Sequence, residues 1–151
     1  MTNADLVRIV QAYYDGVDSH DAGRLASLYL DAPTTALKFN ADPAIVSVAG
    51  IREFTKQFYQ VASVKHAMID VWTTPLMGDV LPVDMPAERS AGKTITVVST
   101  ALPTFTVGQG ASAKALALPA ASIFTIDVAS GKFVSVHNMF DLAQVLSAVN
   151  V

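Results

Sequence analysis

An α+β fold follows from three observations. Helix-periodic stretches fall within the first 62 residues and the last few, while nearly everything from Val64 onward reads as strand; helices segregated from strands mean α+β rather than alternating α/β. The 151 residues are the size of one domain with a single core, spanning 1–151, with no internal repeat or linker. Hydrophobic residues make up 52% and charged residues 15%, more apolar than an ordinary soluble domain. The excess has to go into a lined cavity, a subunit interface, or both.

Charge and composition exclude several functions. The net charge is −3, with 10 basic and 13 acidic residues and no basic stripe, so a nucleic-acid partner is not expected. Without cysteine there is no thiol nucleophile, disulfide or thiolate metal site. The stretch MTNADLVRIV lacks the basic-then-apolar pattern of a signal peptide. The longest apolar run, Ala115–Ala121, is broken by Pro119 and far below the roughly 20 residues of a membrane span. A soluble, cytoplasmic chain with no membrane partner is the expectation.

Each element has its own signal. Ala4–Ser19 carries Leu6, Ile9, Val10, Tyr13, Tyr14 and Val17 at helical spacing, with Asn3 as the expected N-cap, Asp5 at the positive end of the dipole and Gly16 weakening the last turns. Asp18-Ser19-His20-Asp21 is a turn, and Asp21 caps a short helix over Ala22–Leu30 that Pro33 stops. Thr34–Asn40 and Ile45–Val48 read as strands around Asp42-Pro43. Gly50–Ala62 is the third helix, with Ile51, Phe54, Phe58 and Val61 on one face. Strands follow at Val64–Thr74, Asp79–Asp84, Lys93–Thr106, Ala115–Val128 and Phe133–Asp141. Gly78, the polar loop Met85–Gly92, the glycine-bearing Val107–Lys114 and the turn 129–132 separate them. Pro103 predicts a bulge or an exposed edge, and Leu142–Val149 is a closing helix.

Three segments carry a family resemblance. Gln11–Leu25 resembles the helix–turn–helix of the nuclear transport factor 2-like superfamily, with its D-x-x-D-x-x-x-L spacing. Gly50-Ile51-Arg52-Glu53-Phe54 resembles the start of its third helix. Gly131–Val136 followed by Phe140-Asp141 resembles its last hairpin. The resemblance is to the SnoaL-like cyclases, scytalone dehydratase and ketosteroid isomerase. It implies a cone-shaped, curved antiparallel sheet wrapped around an apolar cavity and plugged by the N-terminal helices, commonly as a homodimer. It also implies cofactor-independent acid–base chemistry of isomerase, cyclase or dehydratase type on a small cyclic or aromatic ketone, polyketide- or terpenoid-derived. The same fold also serves as a non-catalytic binding or dimerisation module, so the site has to be argued separately.

Candidate residues follow from facing patterns and from that resemblance. Strict alternation along Val64–Thr74 puts Val64, His66, Met68, Asp70 and Trp72 on one face. If that face lines the cavity, His66 can reach Asp18 at the end of the first helix, and an acid holding an imidazole makes a general base. Asp18 and His66 match the dyad of scytalone dehydratase by position, while Val17 stands where its tyrosine is expected. Equally ordinary roles are a turn residue for Asp18 and a simply satisfied strand histidine for His66. Tyr13 matches the oxyanion-binding tyrosine of ketosteroid isomerase, although Tyr13 and Tyr14 also fit as core aromatics. With Val17, Met68, Ser122, Val136, Asn138 and Phe140, they form the expected substrate-binding set for an apolar or aromatic ligand. His20, His66 and His137 are scattered and lack ligand spacing, so no metal site or cofactor is predicted.

Overall fold

The computed structural model describes residues 1–73, 93–108 and 113–149. The expected turn at Gly78, the strand Asp79–Asp84, the loop Met85–Gly92 and the centre of Val107–Lys114 lie outside the described residues.

Helix α1 runs over Asn3–Asp18, capped by Thr2 rather than Asn3: Thr2 and Asp5 each bond the other's backbone N–H in a capping box. Its buried side, with Leu6, Val10, Tyr13 and Tyr14, is the apolar stripe of the sequence. Gly16 is buried where α1 meets helix α2 (Ala22–Ser27); a Cβ there would come within 3.2 Å of Leu28 Cδ1, so glycine permits the close approach. Asp21 caps α2 through the Gly23 and Arg24 amides, as expected. Helix α3 spans Val48–Val61. It buries Ile51 and Thr55, whereas Val61, expected inside, is exposed.

The strands are β1 (Ala36–Phe39), β2 (Ile45–Val46), β3 (Ala62–Thr73), β4 (Thr94–Val107), β5 (Lys114–Ala117), β6 (Ala120–Asp127) and β7 (Phe133–Met139). Among the described residues they form a curved, unclosed seven-stranded sheet in the order β2-β1-β7-β6-β4-β3, with β5 also on β4. All pairs are antiparallel except β1–β7, which is parallel. Helix α4 (Leu142–Val149) follows β7.

Two sheet details set the site. Pro103 is neither in a bulge nor at an exposed edge: it is buried where β4 leaves β6 at Ala101 and takes up β5 at Thr104, a gap in which no N–H is needed. The bulge lies on β3. Between the pairs Ala67↔Leu102 and Asp70↔Thr100 β3 advances by one residue more than β4, and Met68 takes a φ of +51°. The extra residue reverses the alternation. Val64 and His66 face inward before it and Ile69 and Val71 pack on the core after it, while Met68 (76% exposed) and Trp72 (60%) point out.

A left-handed residue with a side chain costs about 1 kcal/mol or more. Met68→Gly should therefore unfold about 1 kcal/mol later than Met68→Ala in urea; equal stabilities would show that the bulge carries no backbone strain.

Candidate active site

The described helices and the inner sheet face enclose a cavity with about 720 Å³ of atom-free space, part of it in the open mouth. Its walls are mostly carbon: Val17 from α1, Leu37 and Phe39 from β1, Phe54 and Phe58 from α3, Phe105 from β4 and Phe140 beyond β7. Polar lining comes from His66, Tyr59, Thr55 and a group on the sheet formed by Tyr13, Tyr14, Ser122 and Asn138.

At one end, His66 Nδ1 lies 2.6 Å from Asp18 Oδ1. A carboxylate only accepts hydrogen bonds, so Nδ1 carries the proton and Nε2 keeps its lone pair. The His66 backbone N–H donates to both Asp18 oxygens at 3.1 Å. The Lys65 ammonium reaches Asp18 Oδ2 at 3.2 Å from the solvent side. Both side chains of the dyad are nearly buried, 9% exposed for Asp18 and 10% for His66. The Tyr14 ring packs on the imidazole at 4.7 Å between centroids. Burial pushes the His66 pKa below its ordinary value; Asp18 opposes this through its hydrogen bond and its charge, and Lys65 adds to the lowering. At neutral pH the imidazole is therefore an uncharged base.

The other polar group is a row across the sheet. Ser99 on β4 pairs with Ser122 on β6, and Ser122 with Asn138 on β7, all three facing inward. Two phenols from α1 land on this row. The Tyr14 hydroxyl is 2.5 Å from Ser99 Oγ and donates to Ser122 at 3.4 Å. Ser122 donates to Asn138 Oδ1 at 2.7 Å, and Asn138 Nδ2 donates to the Tyr13 hydroxyl at 2.9 Å. Burial raises the pKa of both phenols, so they stay protonated. Tyr59 donates to the Val17 carbonyl at 2.9 Å, and burial, aided by Asp18 and Asp21, pushes its pKa up to about 12.

Of the residues expected from sequence, Asp18 and His66 meet, and Tyr13, Tyr14, Val17, Ser122, Asn138 and Phe140 stand in or on the cavity wall with His66. Met68 does not: the bulge turns it to solvent. Val136 is fully buried in the core behind the wall, packed among side chains rather than lining the cavity. Sequence reasoning missed Ser99, Thr55, Tyr59 and Lys65. A signal existed for two of them. Alternation along Ile95, Val97, Ser99 and Ala101 puts a hydroxyl on an apolar face, where it needs a partner. Tyr59 follows Thr55 at the i+4 spacing of one helix face. Among the described residues, no three His, Asp or Glu side chains gather as a metal-ligand set, and no helix is long and apolar enough to cross a membrane.

No family model and no curated protein matches the chain. Solved structures do. A candidate SnoaL-like polyketide cyclase from Shewanella denitrificans superposes with a TM-score of 0.68 at 12% identity over 96% of each chain. A ketosteroid isomerase-like protein from Erwinia carotovora atroseptica gives 0.67 at 15% identity, over 91% of this chain and 95% of that one. A candidate polyketide cyclase from Pseudomonas putida gives 0.66 at 18% identity over 98% of each. The chain has the nuclear transport factor 2-like fold, in the form shared by SnoaL-like and ketosteroid isomerase-like proteins. At these identities the match establishes the fold and leaves the chemistry to the residues themselves.

The dyad makes a pH prediction. The folded pKa of His66 is lowered, so between that value and about 6.5 the unfolded chain binds more protons, and stability rises with pH across this window. His66 should titrate below about 6.5 by NMR, and Asp18→Asn should lower the midpoint further, because both influences of Asp18 raise it. A higher midpoint in Asp18→Asn would mean that Asp18 does not set the charge of the ring.

Proposed function

We propose that the protein is a cofactor-independent acid–base enzyme of isomerase, cyclase or dehydratase type, acting on a small cyclic or aromatic ketone. The observation that carries the reading is the 2.6 Å contact of His66 Nδ1 with Asp18 in the wall of an apolar cavity. In this reading Nε2 of His66 takes a proton from the carbon next to the carbonyl. The electron pair of that C–H bond moves onto the carbonyl oxygen, and the imidazolium later returns the proton to carbon or to a leaving oxygen. Asp18 fixes the tautomer and ring orientation and faces the positive charge while it lasts. The aromatic walls hold the carbon skeleton and exclude water.

A second reading is a small-molecule-binding module without chemistry. One observation favours it: Asp18 also bonds the His66 backbone N–H and so has a structural task of its own.

One experiment separates them. 2-Tetralone, a bicyclic aromatic ketone with exchangeable protons beside its carbonyl, is incubated with the protein in D₂O and followed by NMR. The enzyme reading expects exchange at least about 100-fold faster than with His66→Ala, the lower end of general-base effects, and an intermediate rate for Asp18→Asn. Equal exchange by the wild type and His66→Ala would remove the base and leave the binding module.

A further inference from the structure

The polar row is almost internally satisfied, and what it leaves over is specific. Ser122 spends its proton on Asn138 Oδ1, and the Tyr14 hydroxyl is engaged by Ser99 and Ser122. An amide nitrogen carries two hydrogens. Asn138 gives one to Tyr13, and no described residue accepts the second. The Tyr13 hydroxyl receives that bond and has one proton of its own, with the buried hydroxyl of Tyr29 beside it. Asn138 itself lines the cavity at 8% exposure. Its amide cannot turn freely, because Ser122 holds the oxygen and Tyr13 the nitrogen.

We propose that the second amide hydrogen of Asn138 is the donor that holds the carbonyl oxygen of the ligand, and that the cavity selects cyclic ketones in which this oxygen is the one polar atom. The proposal rests on the ketone reading above and assigns its acceptor end. Tyr14 joins the two ends of the site: its ring packs on His66 and its hydroxyl joins the row that ends on Asn138. A ligand lying along Tyr14 thus meets a lone pair on Nε2 at one end and an N–H at the other. Between them it meets Val17, Phe58, Phe105 and Phe140, which offer nothing to a hydroxyl. An extra hydroxyl on the ligand that faces these side chains would be buried without a partner; Thr55 and Tyr59 are the other polar groups of the described wall.

The test is binding rather than turnover. 2-Tetralone, tetralin (the same skeleton without oxygen) and 6,7-dihydroxy-2-tetralone are titrated into the protein and followed by NMR. One hydrogen bond corresponds to roughly fivefold in affinity. The wild type should therefore prefer 2-tetralone over tetralin by about that factor and bind the dihydroxy compound more weakly than 2-tetralone. In Asn138→Leu the ketone preference should vanish while tetralin still binds, and Tyr13→Phe should keep it. 2-Tetralone, unlike tetralin, should also shift the Asn138 side-chain amide resonances of the wild type, which tests the contact even if Asn138→Leu fails to fold. A preference that survives in Asn138→Leu, one lost only in Tyr13→Phe, unshifted amide resonances, or failure of both tetralin and 2-tetralone to bind would each overturn the proposal. The two readings fail separately. A wild type that prefers the ketone but does not exchange its protons keeps Asn138 and loses the base; one that exchanges without preferring the ketone loses Asn138 and keeps the base.

Discussion

The end of helix α1 stands against strand β3, and the rest of the site depends on how the outward amides of that strand are satisfied. Among the described residues, strand β3 has β4 on one side and no strand on the other. Its outward N–H groups at Val64 and His66 need acceptors, since unpaired edge amides are both costly when covered and open to wrong pairing. The turn after α1 supplies them: His20 Nε2 stands 3.3 Å from the Val64 nitrogen, and the Asp18 carboxylate takes the His66 amide. Because the same carboxylate then lies beside the His66 ring, closing the edge and orienting the imidazole are one interaction. Pro103, opposite His66 on β4, spares that stretch a backbone donor where β4 changes partners.

This contact requires α1 to sit at one rotation and one depth, and the polar row provides that. Apolar burial of Leu6 and Val10 draws the helix onto the sheet but is nearly indifferent to a small slide. The hydroxyls of Tyr13 and Tyr14 are not. Each reaches a particular position on Ser99, Ser122 or Asn138 in the interior, where a lost partner costs about 1–3 kcal/mol. The ladder register places those three residues side by side on adjacent strands. Sheet register therefore fixes the row, the row fixes the helix, and the helix fixes Asp18.

Much of this was legible in the sequence because it is written in periodicities. The stripe of α1, the Asp21 cap, the separation of helices from strands, and the pairing of Asp18 with His66 all followed from spacing or from resemblance to a known family. Errors arose where one residue breaks a period. Strict alternation put Met68 and His66 on one face, but an unpaired residue at the bulge reversed the phase, and nothing in K-H-A-M-I-D announces it because no glycine marks the left-handed position. Val136 failed differently: facing inward is not the same as lining a cavity, and depth below the wall is a tertiary property. The parallel β1–β7 pairing was likewise invisible, since alternation does not encode strand direction. Ser99 was overlooked because its partner, Tyr14, lies 85 residues away.

The charge state of the dyad is the least obvious outcome, and it follows from weighing three influences. A carboxylate at the C-terminus of α1 opposes the helix dipole by about 0.3–1 kcal/mol. The His66 amide, the imidazole Nδ1–H and the Lys65 ammonium offset that cost at Asp18. A carboxylate beside a histidine ordinarily favours the imidazolium. Here burial dominates and Lys65 already faces the carboxylate, so His66 is held toward its neutral form. Asp18 then acts as an acceptor that orients the ring rather than as half of an ion pair. The outcome is a neutral imidazole with its lone pair on Nε2, set in the wall of a mostly carbon-lined cavity.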